Sequence, residues 1–172
     1  IEYHIQSGTA ALGIAGTTGE SATLTMAEHI DIIQFAVEQA AGRIPVVAGT
    51  GSNSTHEAIE LTVAAAAAGA EYSLLVTPYY NKPPQEGLYR HFCQVAAAVN
   101  IPIILYNVPS RTGVDLSSET VLRLSEVGNI AGLKDATGDV ERGGALIAKL
   151  PDTFGVYSGD DATALDLMCR GG

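Results

Sequence analysis

Lys134 ends the apolar run Ile130–Leu133 and is followed at once by Asp135, Ala136, Thr137 and Gly138. Of the three lysines, Lys82 falls in a proline-rich loop and Lys149 near the end of a helical run, so only Lys134 stands at the lip of a buried strand. Partial desolvation disfavours the charged form of an amine and makes the neutral nucleophile more available, which is the requirement for attack on a ketone or aldehyde. The plainer alternative is an ion pair with Asp135 or with an acid on a neighbouring strand. Tyr106, in ILYNVPSRTG, is placed to pass a proton to and from a carbinolamine, or else to serve as a half-buried core phenol. Arg111 offers a planar fork for a carboxylate, or is a solvated loop arginine.

Two further strand ends carry polar groups. GTTGES, residues 16–21, pairs the hydroxyls of Thr17 and Thr18 with glycines that let backbone amides approach a small anion; alone it is also a tight turn before a helix. TPYYNKP adds the adjacent phenols Tyr79 and Tyr80 in a loop stiffened by prolines. Taken together, an amine, a phenol, hydroxyls and amides describe a pocket for a small keto acid. None of this chemistry requires a metal. His4, His29, His56 and His91 fall on helical segments without ligand spacing, and Cys93 and Cys169 belong to no ligand motif. GTGSNS, residues 49–54, lacks the glycine pattern of a phosphate or dinucleotide loop.

These residues need a frame that presents them on one side. A strand-then-helix alternation recurs along the chain, with strands expected at Ala11–Ala15, Ile44–Ala48, Tyr72–Thr77, Pro102–Asn107, Ile130–Lys134 and Phe154–Ser158. Most are continuous apolar runs, as parallel strands covered on both faces should be. Thr25–Glu28 and Ser54–Glu57 each read as a capping box opening a helix. Ile30, Ile33 and Val37 are expected to face inward on the first, Ile59 and Val63 on the second, with Gly42 and Gly69 as stops. Leu88, Phe92, Val95 and Val99 mark a third helix. Ser117 or Ser118 starts a fourth that ends at Gly128, and Asp139 caps a fifth expected to break at Gly143–Gly144.

Every strand ends in polar or glycine-rich chemistry, which a doubly wound sheet does not need but a barrel mouth does. The expected fold is therefore α/β, a (β/α)8 barrel with about six βα units in this stretch. Residues 1–172 are read as one barrel domain, incomplete at both ends, with a strand expected before residue 1 and the eighth after Gly172.

The composition narrows the partners. A net charge of −10 argues against nucleic acid and against an anionic membrane surface. No apolar run reaches the roughly 18 residues of a membrane span, and two isolated cysteines point to a reducing compartment, the cytoplasm.

GTTGES, VTPYYNKP, ILYNVPSRTG, GLKDATGD and YSGDD, in this order and spacing, resemble the dihydrodipicolinate synthase family, within the N-acetylneuraminate lyase superfamily. The resemblance implies a lyase of the class I, Schiff-base kind in lysine and diaminopimelate biosynthesis, with no cofactor beyond a covalent imine through Lys134. Lys134 would attack pyruvate, and the enamine would add to L-aspartate 4-semialdehyde, giving 4-hydroxytetrahydrodipicolinate. Thr18 would hold the pyruvate carboxylate and Arg111 the carboxylate side of the semialdehyde. Tyr106 would exchange the proton through Thr17 with Tyr80, which the family takes from a neighbouring subunit, within a homotetramer built as a dimer of dimers. Ala22, Leu24, His29, Asn53, Glu57 and Tyr79 match the positions at which family members bind inhibitory L-lysine. Met26 departs from a histidine found there in some relatives.

Two other readings remain at this point. N-acetylneuraminate lyase and the keto-sugar-acid aldolases share the lysine, the tyrosine and a threonine-rich turn, but the PSRTG run favours a small acidic aldehyde over a polyol. A non-catalytic barrel that binds a keto acid would have no use for an amine beside a proton relay.

Overall fold

The computed structural model describes residues 1–172, and its apolar runs form six parallel strands in sequential order. The strands are β1 (Leu12–Ile14), β2 (Val46–Gly49), β3 (Tyr72–Val76), β4 (Ile103–Asn107), β5 (Ile130–Asp135) and β6 (Gly155–Ser158). The helices are α1 (Glu2–Gln6), α2 (Met26–Ala40), α3 (Thr55–Ala68), α4 (Gln85–Ala98), α5 (Pro109–Thr112), α6 (Ser118–Leu124), α7 (Val140–Ile147) and α8 (Ala164–Met168). The order β1-β2-β3-β4-β5-β6, with a helix in each crossover, is six consecutive βα units of a barrel wall. No strand is shared out of sequence, so the doubly wound alternative is excluded.

Local chemistry sets most of the boundaries. Thr25 and Glu28 form a reciprocal capping box: the Glu28 amide donates to the Thr25 hydroxyl, and the Glu28 carboxylate accepts from the Thr25 amide at 2.9 Å. The amide first, then the hydroxyl of Thr25, hold the Glu28 carboxyl below its ordinary range. Ser54 caps α3 from one side only, because the Glu57 carboxylate turns away to accept the Ser52 hydroxyl at 2.8 Å. Gly69 closes α3 in the left-handed region at φ 97, where a side chain would be strained.

Beyond the one-sided Ser54 cap, three details differ from the pattern read in the sequence. Val63 is 45% exposed, and α3 instead buries Ala58, Leu61, Thr62 and Ala65. The alanine-rich helix is apolar nearly all round, so period alone cannot choose its face. The small Ala58 and Ala65 permit close approach, and Thr62 is tied into a buried hydroxyl cluster with Thr50 and Ser73. Helix α7 runs unbroken through Gly143 and Gly144. A methyl on Gly143 would lie 2.6 Å from Leu167 Cδ1, so that glycine admits α8 against α7 and does not end the helix. Helix α6 ends at Leu124, before Gly128.

The core lies between sheet and helices. Its larger part joins Leu75, Leu105 and Leu133 of the strands to Leu88, Phe92 and Val95 of α4 and to Val121 and Leu124 of α6. A smaller cluster packs Leu12, Val46 and Ala48 against Ile33 and Ala40 of α2 and Ala65 of α3. No helix is long and apolar enough to cross a membrane.

Candidate active site

Parallel register carries Val76, Tyr106, Lys134 and Tyr157 side by side across β3, β4, β5 and β6. Register partners in a parallel sheet project to the same face, so an amine and a phenol are forced together by strand pairing alone. Lys134 Nζ lies 4.5 Å from the centroid of the buried Tyr106 ring, a cation–π distance. The ion pairs of the chain engage arginines and His56, and none engages Lys134. The Asp135 carboxylate accepts the Thr137 amide at 2.9 Å and leaves the lysine unpaired. The ion-pair alternative for Lys134 is thereby removed.

Gly159, just beyond β6, forms a wall for the lysine stem. A methyl there would stand 3.1 Å from Lys134 Cε and 3.3 Å from Cγ. The Gly159 amide donates to the Asp135 carbonyl at 2.7 Å, which locks the ends of β5 and β6 together. This glycine belongs to the YSGDD run, but only its spacing to Lys134 in three dimensions reveals why a side chain is missing.

A cleft of about 770 Å³ has Thr17, Tyr79, Tyr80 and Arg111 among its walls, whereas Lys134 and Tyr106 do not line it. Val76 and Val108 line it as well, so it reaches the register partner of Tyr106 and the residue two beyond it. Ala22, Leu24, His29 and Glu57 share the same walls. Thr18 and Asn53 do not: Thr18 is exposed on the turn beside Thr17, and the Asn53 carbonyl accepts the Asn81 side chain at 3.1 Å. His29 is buried with Nε2 2.7 Å from the Gly49 carbonyl, which requires that nitrogen to carry the proton.

The GTTGES turn closes on itself through the Gly19 amide, which donates to Gly16, and the Glu20 amide, which donates to Thr17. The amides of Thr17 and Thr18 donate to nothing in the chain, so two N–H groups beside two hydroxyls are available to an anion. Tyr80 is 88% exposed at φ 72, in the left-handed region, and its amide donates to the Thr112 carbonyl at 3.3 Å. Thr17 and Tyr80 share the walls of the cleft, Tyr106 is not among them, and no hydrogen bond joins Tyr80 or Thr17 to Tyr106 within the chain. Arg111, on α5, is exposed and unpaired.

A parallel βα repeat with an unpaired amine on one strand and a phenol on the next, at the rim where the loops gather, is the (β/α)8-barrel class with a lysine at the strand end. The sequence pattern of the Dihydrodipicolinate synthetase family matches residues 1–172, and the chain belongs to that family. It is 59% identical over 172 residues to a 4-hydroxy-tetrahydrodipicolinate synthase of Pseudomonas savastanoi pv. phaseolicola, covering all of this chain and 59% of the relative. It is 60% identical to the enzyme of that name from Thioalkalivibrio sulfidiphilus, covering all of this chain and 58% of that protein. The chain thus spans under two thirds of the length of the curated relatives it matches. Among solved structures, the chloride-inhibited dihydrodipicolinate synthase of Acinetobacter baumannii complexed with pyruvate superposes with a TM-score of 0.97 at 59% identity, covering 99% of this chain and 59% of that one. The enzyme of Cyanidioschyzon merolae with lysine bound gives 0.96 at 44%, covering 99% and 58%.

Proposed function

We propose that this chain carries the reacting residues of a 4-hydroxy-tetrahydrodipicolinate synthase, a lyase that condenses pyruvate with L-aspartate 4-semialdehyde. The observation that carries the reading is the unpaired Lys134 amine over the Tyr106 ring. The amine attacks the pyruvate ketone, and the carbinolamine loses water to give an imine, so no external cofactor takes part. Tyr106 supplies and recovers the protons of those steps, relayed through Thr17 and Tyr80. The open amides of Thr17 and Thr18, with the Thr18 hydroxyl, hold the keto-acid carboxylate. The imine tautomerises to an enamine that adds to the semialdehyde carbon, and Arg111 holds that substrate's carboxylate in a two-point contact. The amino group of the added semialdehyde then attacks the imine carbon, which closes the ring and releases the Lys134 amine.

The exposed Tyr80 phenol has no partner in its own chain, which supports its donation to a neighbouring subunit, in a homotetramer of two tight dimers. Ala22, Leu24, His29, Glu57 and Tyr79 line the cleft, and with Asn53 beside it they offer a carboxylate and amide for L-lysine; the relative crystallised with lysine bound supports feedback control. Two unpaired cysteines, Cys93 and Cys169, fit a reducing cytoplasm. The relatives' names favour this condensation over sialic acid or sugar-acid cleavage.

Borohydride treatment with pyruvate tests the reading. A stable mass adduct is expected on Lys134, absent in Lys134→Ala with the fold retained; trapping that persists in the variant would move the nucleophile elsewhere. Condensation with aspartate semialdehyde, and none with N-acetylmannosamine, is the expected choice of aldehyde.

A further inference from the structure

Arg111 has no side-chain partner, so the place of its guanidinium is decided by the backbone of the segment that carries it. That segment, residues 108–116, is fastened at its far end by Asp115. The Asn107 side-chain amide donates to Asp115 Oδ1 at 2.8 Å, and Arg142 Nη1 donates to Oδ2 at 2.7 Å. Arg142 Nη2 also reaches the Leu116 carbonyl at 2.5 Å, and the Leu116 amide donates to Asn107 Oδ1 at 3.0 Å. From the third side, Gln85 Nε2 donates to the Asp115 carbonyl at 2.7 Å, while its Oε1 accepts from Ser117 and Thr120.

These bonds join the end of β4, the start of α4 and the first turn of α7 at two residues, 115 and 116. Asn107 directly follows Tyr106, and α7 follows the strand of Lys134. The other face of the segment supports the tyrosine loop: Thr112 accepts the Tyr80 amide, and the Lys82 stem crosses Gly113 where a methyl would be 2.7 Å from its Cε. Residues 109–113 are therefore held in register with both reacting strands through Asp115.

We propose that Asp115, gripped by Asn107 and Arg142, is a positioning residue that sets the Arg111 guanidinium at the distance from Lys134 required by the second, carboxylate-bearing substrate. The inference rests on the function proposed above. Asp115 is specific for this work because both neighbours are donors. Asparagine has the same shape but one acceptor oxygen, and would set an NH2 group against either Asn107 or Arg142. The Arg142 and Asp115 side chains keep 25% and 45% of their exposure, and a half-exposed ion pair contributes little to stability. A loop displaced by a fraction of an ångström does matter to a substrate gripped at two points.

The test uses the full-length protein with Asp115→Asn, Arg142→Gln and Arg142→Lys beside Arg111→Ala. For Asp115→Asn and Arg142→Gln, the KM for aspartate semialdehyde should rise about tenfold, while borohydride trapping with pyruvate stays within about twofold of wild type. Arg142→Lys keeps the charge and one contact, and should fall between. In the Arg111→Ala background, Asp115→Asn should add less than about twofold, since the group it positions is gone. The proposal is overturned if the aldehyde KM is unchanged in both variants, or if pyruvate trapping declines as much as aldehyde binding. A wild-type protein that forms no pyruvate adduct overturns the reading of the site, and this inference with it.

Discussion

Lys134 and Tyr106 are register partners on β5 and β4, and the amine lies over the face of the phenol ring 4.5 Å from its centroid. The ring and its hydroxyl have separable duties. The ring face attracts the ammonium form and fixes the approach of the lysine, whereas the function proposed above assigns proton exchange to the hydroxyl. Tyr106→Phe keeps the first and deletes the second. Pyruvate should still be trapped on Lys134, while turnover falls at least about a hundredfold, the scale of a lost general acid–base. Turnover near wild type would remove the phenol from the chemistry.

Gly159 gives a prediction about the nucleophile itself. Its φ lies outside the left-handed region, so the demand for glycine is one of space alone. A methyl would meet Ala136 Cβ at 2.8 Å and the Lys134 stem at 3.1 Å. The alanine is fixed to the backbone and cannot yield, so β6 or the lysine must shift. Gly159→Ala should cost about 1–3 kcal/mol of stability and slow the pyruvate adduct about tenfold through misplacement of the amine. Mass spectrometry over time, beside thermal unfolding, separates the two effects. An adduct forming at the wild-type rate would mean that the stem simply slides aside.

His91 sets an acid limit on the fold. It is 4% exposed, Nδ1 bonds the Thr55 hydroxyl at 2.9 Å, and Nε2 has no partner. Burial pushes its pKa down from 6.5 to about 4. The folded state therefore binds fewer protons than the unfolded chain between those values. The contribution is present above 6.5 and is lost as pH falls toward 4, by up to about 3 kcal/mol. Carboxylates held low by their partners, such as Glu28 and Glu86, lose stability only below their ordinary value of 4.5, so the two windows are distinct. His91→Leu should flatten urea stability between about pH 6.5 and 4.5. An unchanged acid slope in the variant would assign that slope to other groups.

The frame was legible because barrels write themselves locally. Most strands are continuous apolar runs, and Thr25, Ser54, Ser117 and Asp139 announce helix starts with their own side chains. Lys134 and Tyr106 were legible for the same reason, since each stands near the end of such a run and parallel pairing does the rest. Contacts distant in sequence left no such mark. Arg142 grips Asp115 across 27 positions, and nothing near either residue distinguishes it from a surface ion pair. Gly143 reads as a helix breaker until Leu167 is seen against it, and Val63 reads as core until the alanines show which side packs. The GTTGES turn reads as hydroxyls and backbone amides open to an anion, but only the hydrogen-bond pattern displays that the free amides are those of Thr17 and Thr18.

Tyr80 yields a prediction about subunits. Its phenol is 88% exposed, its backbone is held at φ 72, and its amide is anchored on Thr112. A rigidly presented, outward phenol is suited to completing a neighbour's site. Lys134→Ala and Tyr80→Phe should each be nearly inactive alone. When the two are unfolded, mixed and refolded together, half of the dimers pair one subunit of each kind. In such a dimer the Tyr80→Phe subunit keeps its own lysine and receives an intact tyrosine from its partner, so one site of the two is whole. Activity should recover to about a quarter of wild type, as two-fold exchange of the residue requires. If the tyrosine instead serves its own chain, each mixed dimer contains one site without lysine and one without phenol, and no activity returns.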